Sequence, residues 1–257
     1  MGLVVVLFVV RERTHTHTHS THFCGTMLQT LPCETENDWW IYSPRFVPKS
    51  KQVFKELLEQ IKDKVVTYQV ATMYHEQTFP SHRQSCKFLT VSSATALHIP
   101  KGLSYEQLPT YDWSASSAVS GIRDVLQQRF GVTFDYCLVH LYRDGKDNIA
   151  YHFDREAMNT PIASVSLGAT RKFRFRRRRN KGAAGWDYQY HLEGGDLVYM
   201  KVGCQQQYVH AVPVEQGVKL PRINLTFRQT TTQTDRQTFR QTFRQTDSQT
   251  FRQTAKY

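Results

Sequence analysis

An imidazole and a carboxylate stand two residues apart in Tyr151-His152-Phe153-Asp154, a pairing suited to holding a metal ion. In an extended segment alternate side chains share a face, so His152 and Asp154 can reach one ion while Phe153 turns away. His210, within Tyr208-Val209-His210-Ala211-Val212, is the candidate third ligand. Two histidines and one carboxylate form the facial triad of non-haem iron(II) oxygenases. Three ligands on one side of an octahedron leave three positions for cosubstrate and dioxygen. His-x-Asp alone is a weak signal, because the pattern arises often by chance and a lone histidine is more simply a hydrogen-bonded core or surface residue.

The string Pro221-Arg222-Ile223-Asn224-Leu225-Thr226-Phe227-Arg228 adds the missing weight. Strict alternation places Arg222, Asn224, Thr226 and Arg228 on one face of a strand, and Ile223, Leu225 and Phe227 on the other. Two arginines in a strand otherwise built for burial call for an anion, since a buried guanidinium needs carboxylate or phosphate oxygens to offset its desolvation. A dicarboxylic keto acid meets that need: one end chelates the iron and an arginine clamps the other. An edge strand with two solvated arginines is the plainer alternative.

These residues need a scaffold, and the region from residue 38 to residue 230 has the composition of one. Val53, Phe54, Leu57, Leu58, Ile61 and Val65 recur at helical spacing and predict an amphipathic helix over Ser50 to Val66. A second helix is expected from Ala115 to Phe130, stopped by Gly131. Strands are then expected at 134–142, 162–167, 171–175, 189–192, 196–200 and 221–228, with turns at Asp144-Gly145 and Gly194-Gly195. Many short strands after an early helical portion predict a mainly β fold with flanking helices, a sandwich or barrel.

The ends differ from the middle. Residues 1–37 contain Thr-His repeats, and residues 231–257 repeat variants of Thr-Phe-Arg-Gln-Thr, so both are expected to be disordered. These tracts look like translated simple-sequence DNA, which leaves the natural ends of the chain open. Histidines 15, 17, 19 and 22 can bind metal only adventitiously. The apolar run Leu3 to Val10 is too short to span a membrane, and its charges Arg11 and Arg13 follow it, unlike a signal peptide. Five scattered cysteines show no disulfide framework or C-x-x-C pair, as expected in a reducing, intracellular compartment. A formal charge of +11, from 33 Lys and Arg against 22 Asp and Glu, favours a polyanionic partner. No membrane partner is expected, and nothing demands more than a monomer.

From Asp135 to Arg228 the chain resembles the AlkB family of demethylases, in the branch that repairs N-alkylated bases in DNA. The resemblance is carried by Leu138 to Gly145 (Leu-Val-His-Leu-Tyr-Arg-Asp-Gly), His152-Phe153-Asp154, Pro161 to Gly168, Arg171 to Phe175, Gly195-Asp196-Leu197, His210, and Pro221 to Arg228. It implies a double-stranded β-helix, or jelly-roll, core behind N-terminal helices and a nucleic-acid-reading flap. His152, Asp154 and His210 would bind Fe(II), and Arg222 would pair with the far carboxylate of 2-oxoglutarate, assisted by Tyr142 and Asn224. Arg228 would lie near the keto acid's iron-binding end. Dioxygen would be consumed, ascorbate would serve as activator, and the hydroxylated methyl group would leave as formaldehyde. Where family members commonly carry Asn, this chain has His140, which is bulkier but can donate one hydrogen bond to the cosubstrate.

A base inside a duplex must be flipped out to be oxidised. By the same resemblance Glu156 would accept a hydrogen bond from the exocyclic amino group of alkylated adenine or cytosine, and the flap would span Ala71 to Ser85. Met73 and Tyr74 are the candidates for its apolar finger, Arg83 for a phosphate contact, and Phe88 for the ring that sandwiches the base. Arg171, Lys172 and Arg174 open the most basic stretch, Arg171 to Lys181, in which alternation buries Phe173 and Phe175 and leaves a cationic rim for phosphates. A nuclear-localisation signal could use the same residues, placing the protein in the nucleus of a eukaryote. Two alternatives stay open: a dioxygenase of this fold acting on RNA or protein, or a nucleic-acid-binding module impaired in cosubstrate binding by His140.

Overall fold

The computed structural model describes residues 34–72, 75–90, 107–178 and 187–229. The first half supplies β1 (Thr35–Glu36), β2 (Trp40–Ser43), α1 (Ser50–Ile61), β3 (Val66–Thr72), β4 (His75–Leu89), β5 (Thr110–Asp112) and α2 (Ser117–Phe130). The second half is β6 (Tyr136–Tyr142), β7 (Ile149–His152), β8 (Ile162–Gly168), β9 (Arg171–Arg177), β10 (Tyr188–Leu192), β11 (Leu197–Met200), α3 (Cys204–Gln207), β12 (Tyr208–Val212) and β13 (Arg222–Arg228). Among these residues no helix is long and apolar enough to cross a membrane.

The strands form two sheets. A nine-stranded sheet runs β1-β2-β11-β8-β13-β6-β4-β3, with β5 beside β4, and a four-stranded sheet runs β10-β9-β12-β7. Pairing is antiparallel except for β4 with β5. The chain alternates between the two sheets as it winds, which is the jelly-roll arrangement.

Alternation decides what each face buries. From β13, Ile223, Leu225 and Phe227 join Cys137, Val139 and Leu141 of β6 and Ala163, Val165 and Leu167 of β8 in one apolar layer. Leu57 and Ile61 of α1, with Val119, Ile122 and Leu126 of α2, cover that layer. Each large aliphatic side chain buried there contributes roughly 1.5–3 kcal/mol. The intervening residues of β13 are thereby turned toward the four-stranded sheet.

A second apolar cluster fills part of the space between the sheets. Trp40 of β2 stacks on Phe175 of β9 with centroids 4.1 Å apart and planes 5° from parallel, and its Nε1–H donates to the Tyr190 hydroxyl of β10 at 2.9 Å. One side chain thus joins the large sheet to two strands of the small one.

Both predicted helices form, with different ends. The first stops at Ile61 rather than Val66, because Lys62 to Lys64 turn and the β-branched Val66 and Thr67 open β3. The second begins at Ser117, where the Ser116 hydroxyl accepts the Val119 N–H at 3.3 Å, and it ends at Gly131, whose φ of 64° suits a glycine.

Candidate metal centre and cosubstrate cleft

The ligand geometry comes from the small sheet. His210 on β12 lies opposite His152 on β7, and an irregularity in the register just beyond them lets Ile149 and His152, three residues apart, both line the cleft. Asp154 follows directly after β7. Its Oδ1 is 3.9 Å from His152 Nε2 and its Oδ2 is 3.8 Å from His210 Nε2; the three potential ligand atoms all lie within 4.8 Å of one another.

Charge and burial prepare these groups for a cation. Burial pushes His210 down to about 3 and lowers His152 as well, so both rings are neutral at physiological pH and keep a lone pair for a metal. Burial opposes ionisation of Asp154, but the charge of Arg228 leads the effects that outweigh it and hold the carboxyl below its usual range. Arg228 Nη2 lies 3.0 Å from Asp154 Oδ1, and the same guanidinium pairs with Glu156. Asp154 Oδ2 is buried with no hydrogen-bond partner, a position a metal ion would fill.

Two further contacts hold this corner. Gln205, at the start of α3, accepts the Asp154 backbone N–H on its Oε1 at 3.0 Å, and its Nε2 donates to Met200 Sδ at 3.2 Å. Phe173 of β9 packs beside the His210 ring, with centroids 5.5 Å apart. Sequence reasoning missed Gln205, since one glutamine among three in a row carries no periodic signal.

The large sheet supplies the facing wall. His140 and Tyr142 of β6 and Asn224, Thr226 and Arg228 of β13 line an open cleft with the three metal-ligand candidates. Arg222 lies behind Tyr142, its Cζ 5.1 Å from the ring centroid. It is almost wholly buried, donates from Nη2 to the Ser166 hydroxyl at 2.8 Å, and among the described residues leaves Nε and Nη1 buried without hydrogen-bond partners. Burial lowers its pKa to about 10 against the opposing pull of Tyr142, so Arg222 is a cation at neutral pH, and among the described residues it forms no ion pair.

Asn224 commits its amide hydrogens to the Ser164 hydroxyl and the Val165 carbonyl, each at 2.9 Å, and its Oδ1 accepts from the Thr226 hydroxyl at 3.2 Å. As placed it shapes the cleft, and its donors are occupied. His140 Nδ1 lies 2.7 Å from the Ser85 hydroxyl of β4. Burial, reinforced by Arg83 and Arg228, drives the imidazole well below its ordinary pKa, so the charged form that its sequence position allows is absent at neutral pH.

Three expectations about base and phosphate contacts need correction. Phe88 is fully buried in the helix-covered layer beside Tyr111, on the β4 face opposite Ser85, and cannot sandwich a base at the cleft. Arg83 is buried and donates to the Tyr68 hydroxyl at 2.9 Å, so it is not a solvent-facing phosphate contact. Arg171 shares the inward parity of Phe173 and Phe175 and is 1% exposed; the rim of β9 consists of Lys172, Arg174 and Arg176 instead. Lys172 pairs with Glu215, and Arg174 donates to Gln189 at 2.8 Å. Met73 and Tyr74 lie outside the described residues.

Arg171 has a structural task. Its guanidinium reaches Glu215 at 3.2 Å and the carbonyls of Asp144, Asp147 and Pro213 at 3.0, 2.9 and 2.7 Å, tying the loop after β6 to the loop after β12. Gly145 completes the junction, since a Cβ there would sit 1.8 Å from the Glu215 carbonyl oxygen. Arg171→Ala is expected to cost about 3–5 kcal/mol, because Glu215 and three carbonyls lose a buried charged partner. Urea unfolding checks this, with the half-exposed Lys172→Ala expected to change stability by less than about 1 kcal/mol.

Comparison with known proteins decides the family. The family model described as the 2OG-Fe(II) oxygenase superfamily matches residues 40–228, which includes every strand of the cleft. The chain belongs to that superfamily. Within it the protein is AlkB-like: it is 32% identical over 189 residues to the human protein named DNA oxidative demethylase ALKBH2, covering 70% of this chain and 69% of that one. It is also 37% identical over 116 residues to human alpha-ketoglutarate-dependent dioxygenase alkB homolog 3, covering 42% and 40%. A third relative, protein R406 of Acanthamoeba polyphaga mimivirus, is 28% identical over 190 residues, or 72% and 92% of the two chains. As a 2OG-Fe(II) oxygenase the protein is an enzyme that uses iron(II) and 2-oxoglutarate. The unpartnered oxygen of Asp154 and the unpartnered nitrogens of Arg222 suit a cation and a carboxylate respectively.

Proposed function

We propose that this AlkB-like dioxygenase oxidatively removes alkyl groups from N-alkylated bases in DNA, 1-methyladenine and 3-methylcytosine among them. The observation that carries the reading is the His152, Asp154 and His210 cluster in a cleft whose facing wall includes Tyr142, with the buried guanidinium of Arg222 directly behind that tyrosine. Bound iron(II) supplies the activation of dioxygen that, with decarboxylation of 2-oxoglutarate to succinate and carbon dioxide, hydroxylates the alkyl carbon; ascorbate keeps the metal reduced. A hydroxymethyl group on nitrogen is a hemiaminal and breaks down to formaldehyde and the restored base.

The chain's own residues do the positioning. His152, Asp154 and His210 would hold the metal, with Gln205 and Arg228 fixing the aspartate. Arg222 would take the far carboxylate of 2-oxoglutarate beside Tyr142, and His140 would meet the keto acid from β6. Burial pushes the Glu156 carboxyl up, with Asp154 adding to the rise, against the pull of Arg228. Glu156 is buried two residues from Asp154 and is held by Arg228, and in this reading its carboxylate accepts from an exocyclic amino group of a flipped adenine or cytosine. DNA as substrate is supported by the net charge of +11 and by the name of the human relative. Such a substrate places the protein in the nucleus of a eukaryotic cell, although the buried Arg171 is unavailable to an import receptor reading residues 171–181.

The test is formaldehyde release from single- and double-stranded oligonucleotides carrying either lesion, with iron(II), ascorbate and 2-oxoglutarate. Release that depends on 2-oxoglutarate is expected. Turnover confined to methylated RNA or a methylated peptide would overturn DNA as substrate, and tight DNA binding without succinate formation on any substrate would leave a binding module.

A further inference from the structure

His140 has a partner outside the cleft's charged groups. Its imidazole is buried on β6, in register with Asn224 of β13 on one side and Ser85 of β4 on the other. One ring nitrogen, Nδ1, lies 2.7 Å from the Ser85 hydroxyl, while the side chain lines the cleft. Ser85 is itself fully buried.

A neutral imidazole carries one N–H, so the two nitrogens cannot both donate. The dianion of 2-oxoglutarate offers only acceptors, two carboxylates and a keto oxygen. An unprotonated Nε2 facing it would set lone pair against lone pair.

We propose that Ser85 is a positioning residue for the cosubstrate: its hydroxyl donates to His140 Nδ1, fixing the Nε2–H tautomer, and that N–H donates to bound 2-oxoglutarate. The proposal rests on the reading of the cleft as a 2-oxoglutarate site. Burial of His140 among Arg83, Arg228 and Arg222 opposes the doubly protonated ring, the other form that could donate at both nitrogens. The pair would then act as a single donor, much as an amide N–H does. A hydrogen bond to a charged acceptor contributes about 1.5–3 kcal/mol, so losing the tautomer matters on the scale of tenfold in affinity.

Two measurements on full-length protein loaded with Zn(II), which is diamagnetic and inert to turnover, test this. The first is the nitrogen-15 spectrum of His140 with 2-oxoglutarate bound. The expected result is a pyridine-type Nδ1 and a pyrrole-type Nε2, with the two shifts converging in Ser85→Ala as both tautomers populate. A pyrrole-type Nδ1 or an imidazolium in the wild type would overturn the proposal.

The second is 2-oxoglutarate affinity by calorimetry in a double-mutant cycle. Ser85→Ala is expected to raise Kd about tenfold. In the His140→Asn background, where an amide N–H needs no neighbour to set it, the same change is expected to shift Kd less than about twofold. Equal losses in both backgrounds would show that Ser85 acts by packing, and no loss in either would also refute the proposal. Wild-type protein that fails to bind 2-oxoglutarate at all would instead defeat the reading of the cleft on which the proposal stands.

Discussion

Asp154→Ala is expected to abolish turnover, by more than about 10³-fold, while the protein stays folded. Truncating an outer-shell partner of a metal ligand typically costs 10–100-fold in affinity or activity, and this change removes the one anionic ligand itself. Two neutral histidines would remain, a set that cannot offset a divalent charge. Folding survives for a reason visible in the local charges. Arg228 keeps Glu156 as a partner when Asp154 is lost, and Glu156 is freed from the neighbouring carboxylate that helps to push its pKa up. Formaldehyde release and Mn(II) binding should both vanish while circular dichroism and the cooperativity of unfolding are retained. A variant that still binds Mn(II) with wild-type affinity would remove Asp154 from the ligand set.

Arg222→Met is expected to separate stability from function in the opposite way to Arg171→Ala. Arg222 is a buried cation whose Nε and Nη1 have no partner, so the protein without cosubstrate carries the cost of a desolvated charge. Methionine of similar length removes that cost, and Tm is expected to stay level or rise. The bound state loses a charged pair in a dry site. Removing one member of such a pair costs about 3–5 kcal/mol, which raises the KM for 2-oxoglutarate by roughly 10²–10⁴-fold. Mn(II) affinity should be nearly unchanged, because Arg222 belongs to the large sheet and none of the three ligands does. Steady-state kinetics with varied 2-oxoglutarate, beside a thermal melt, gives both halves of the result. An unchanged KM would place the far carboxylate elsewhere.

The parts of the site legible in the sequence were those written by strict alternation. Ile223, Leu225 and Phe227 face an apolar layer, and alternation alone then sets Arg222 and Arg228 on the other side. The His-x-Asp spacing worked likewise at the end of β7. The same rule, applied one residue too loosely, misassigned Arg171, whose position matches Phe173 and Phe175 and whose partners are carbonyls contributed by distant loops. Phe88 differs for a related reason: its parity on β4 is opposite to that of Ser85, which turns the ring into the helix-covered layer.

Strands with mixed composition were harder to see. β4 spans His75–Leu89 and carries Arg83, Ser85 and Lys87 on a buried face, a pattern that looks solvent-exposed until the pairing with β6 supplies their surroundings. β7 and β12 are short and do not alternate in hydrophobicity, so only their histidines marked them. Gln205 and Ser85 act through contacts with residues remote in sequence, to Asp154 and His140, and local pattern holds no record of such pairs.

The division of labour between the two sheets has an evolutionary consequence. In the proposed reading, metal ligation falls to the β7 and β12 side and cosubstrate recognition to β6 and β13, and the two share little beyond Arg228. Substitutions on the large sheet can therefore explore new keto acids, or new ways of gripping the same one, without disturbing the geometry that activates oxygen. A lineage built this way can change its fuel and keep its engine.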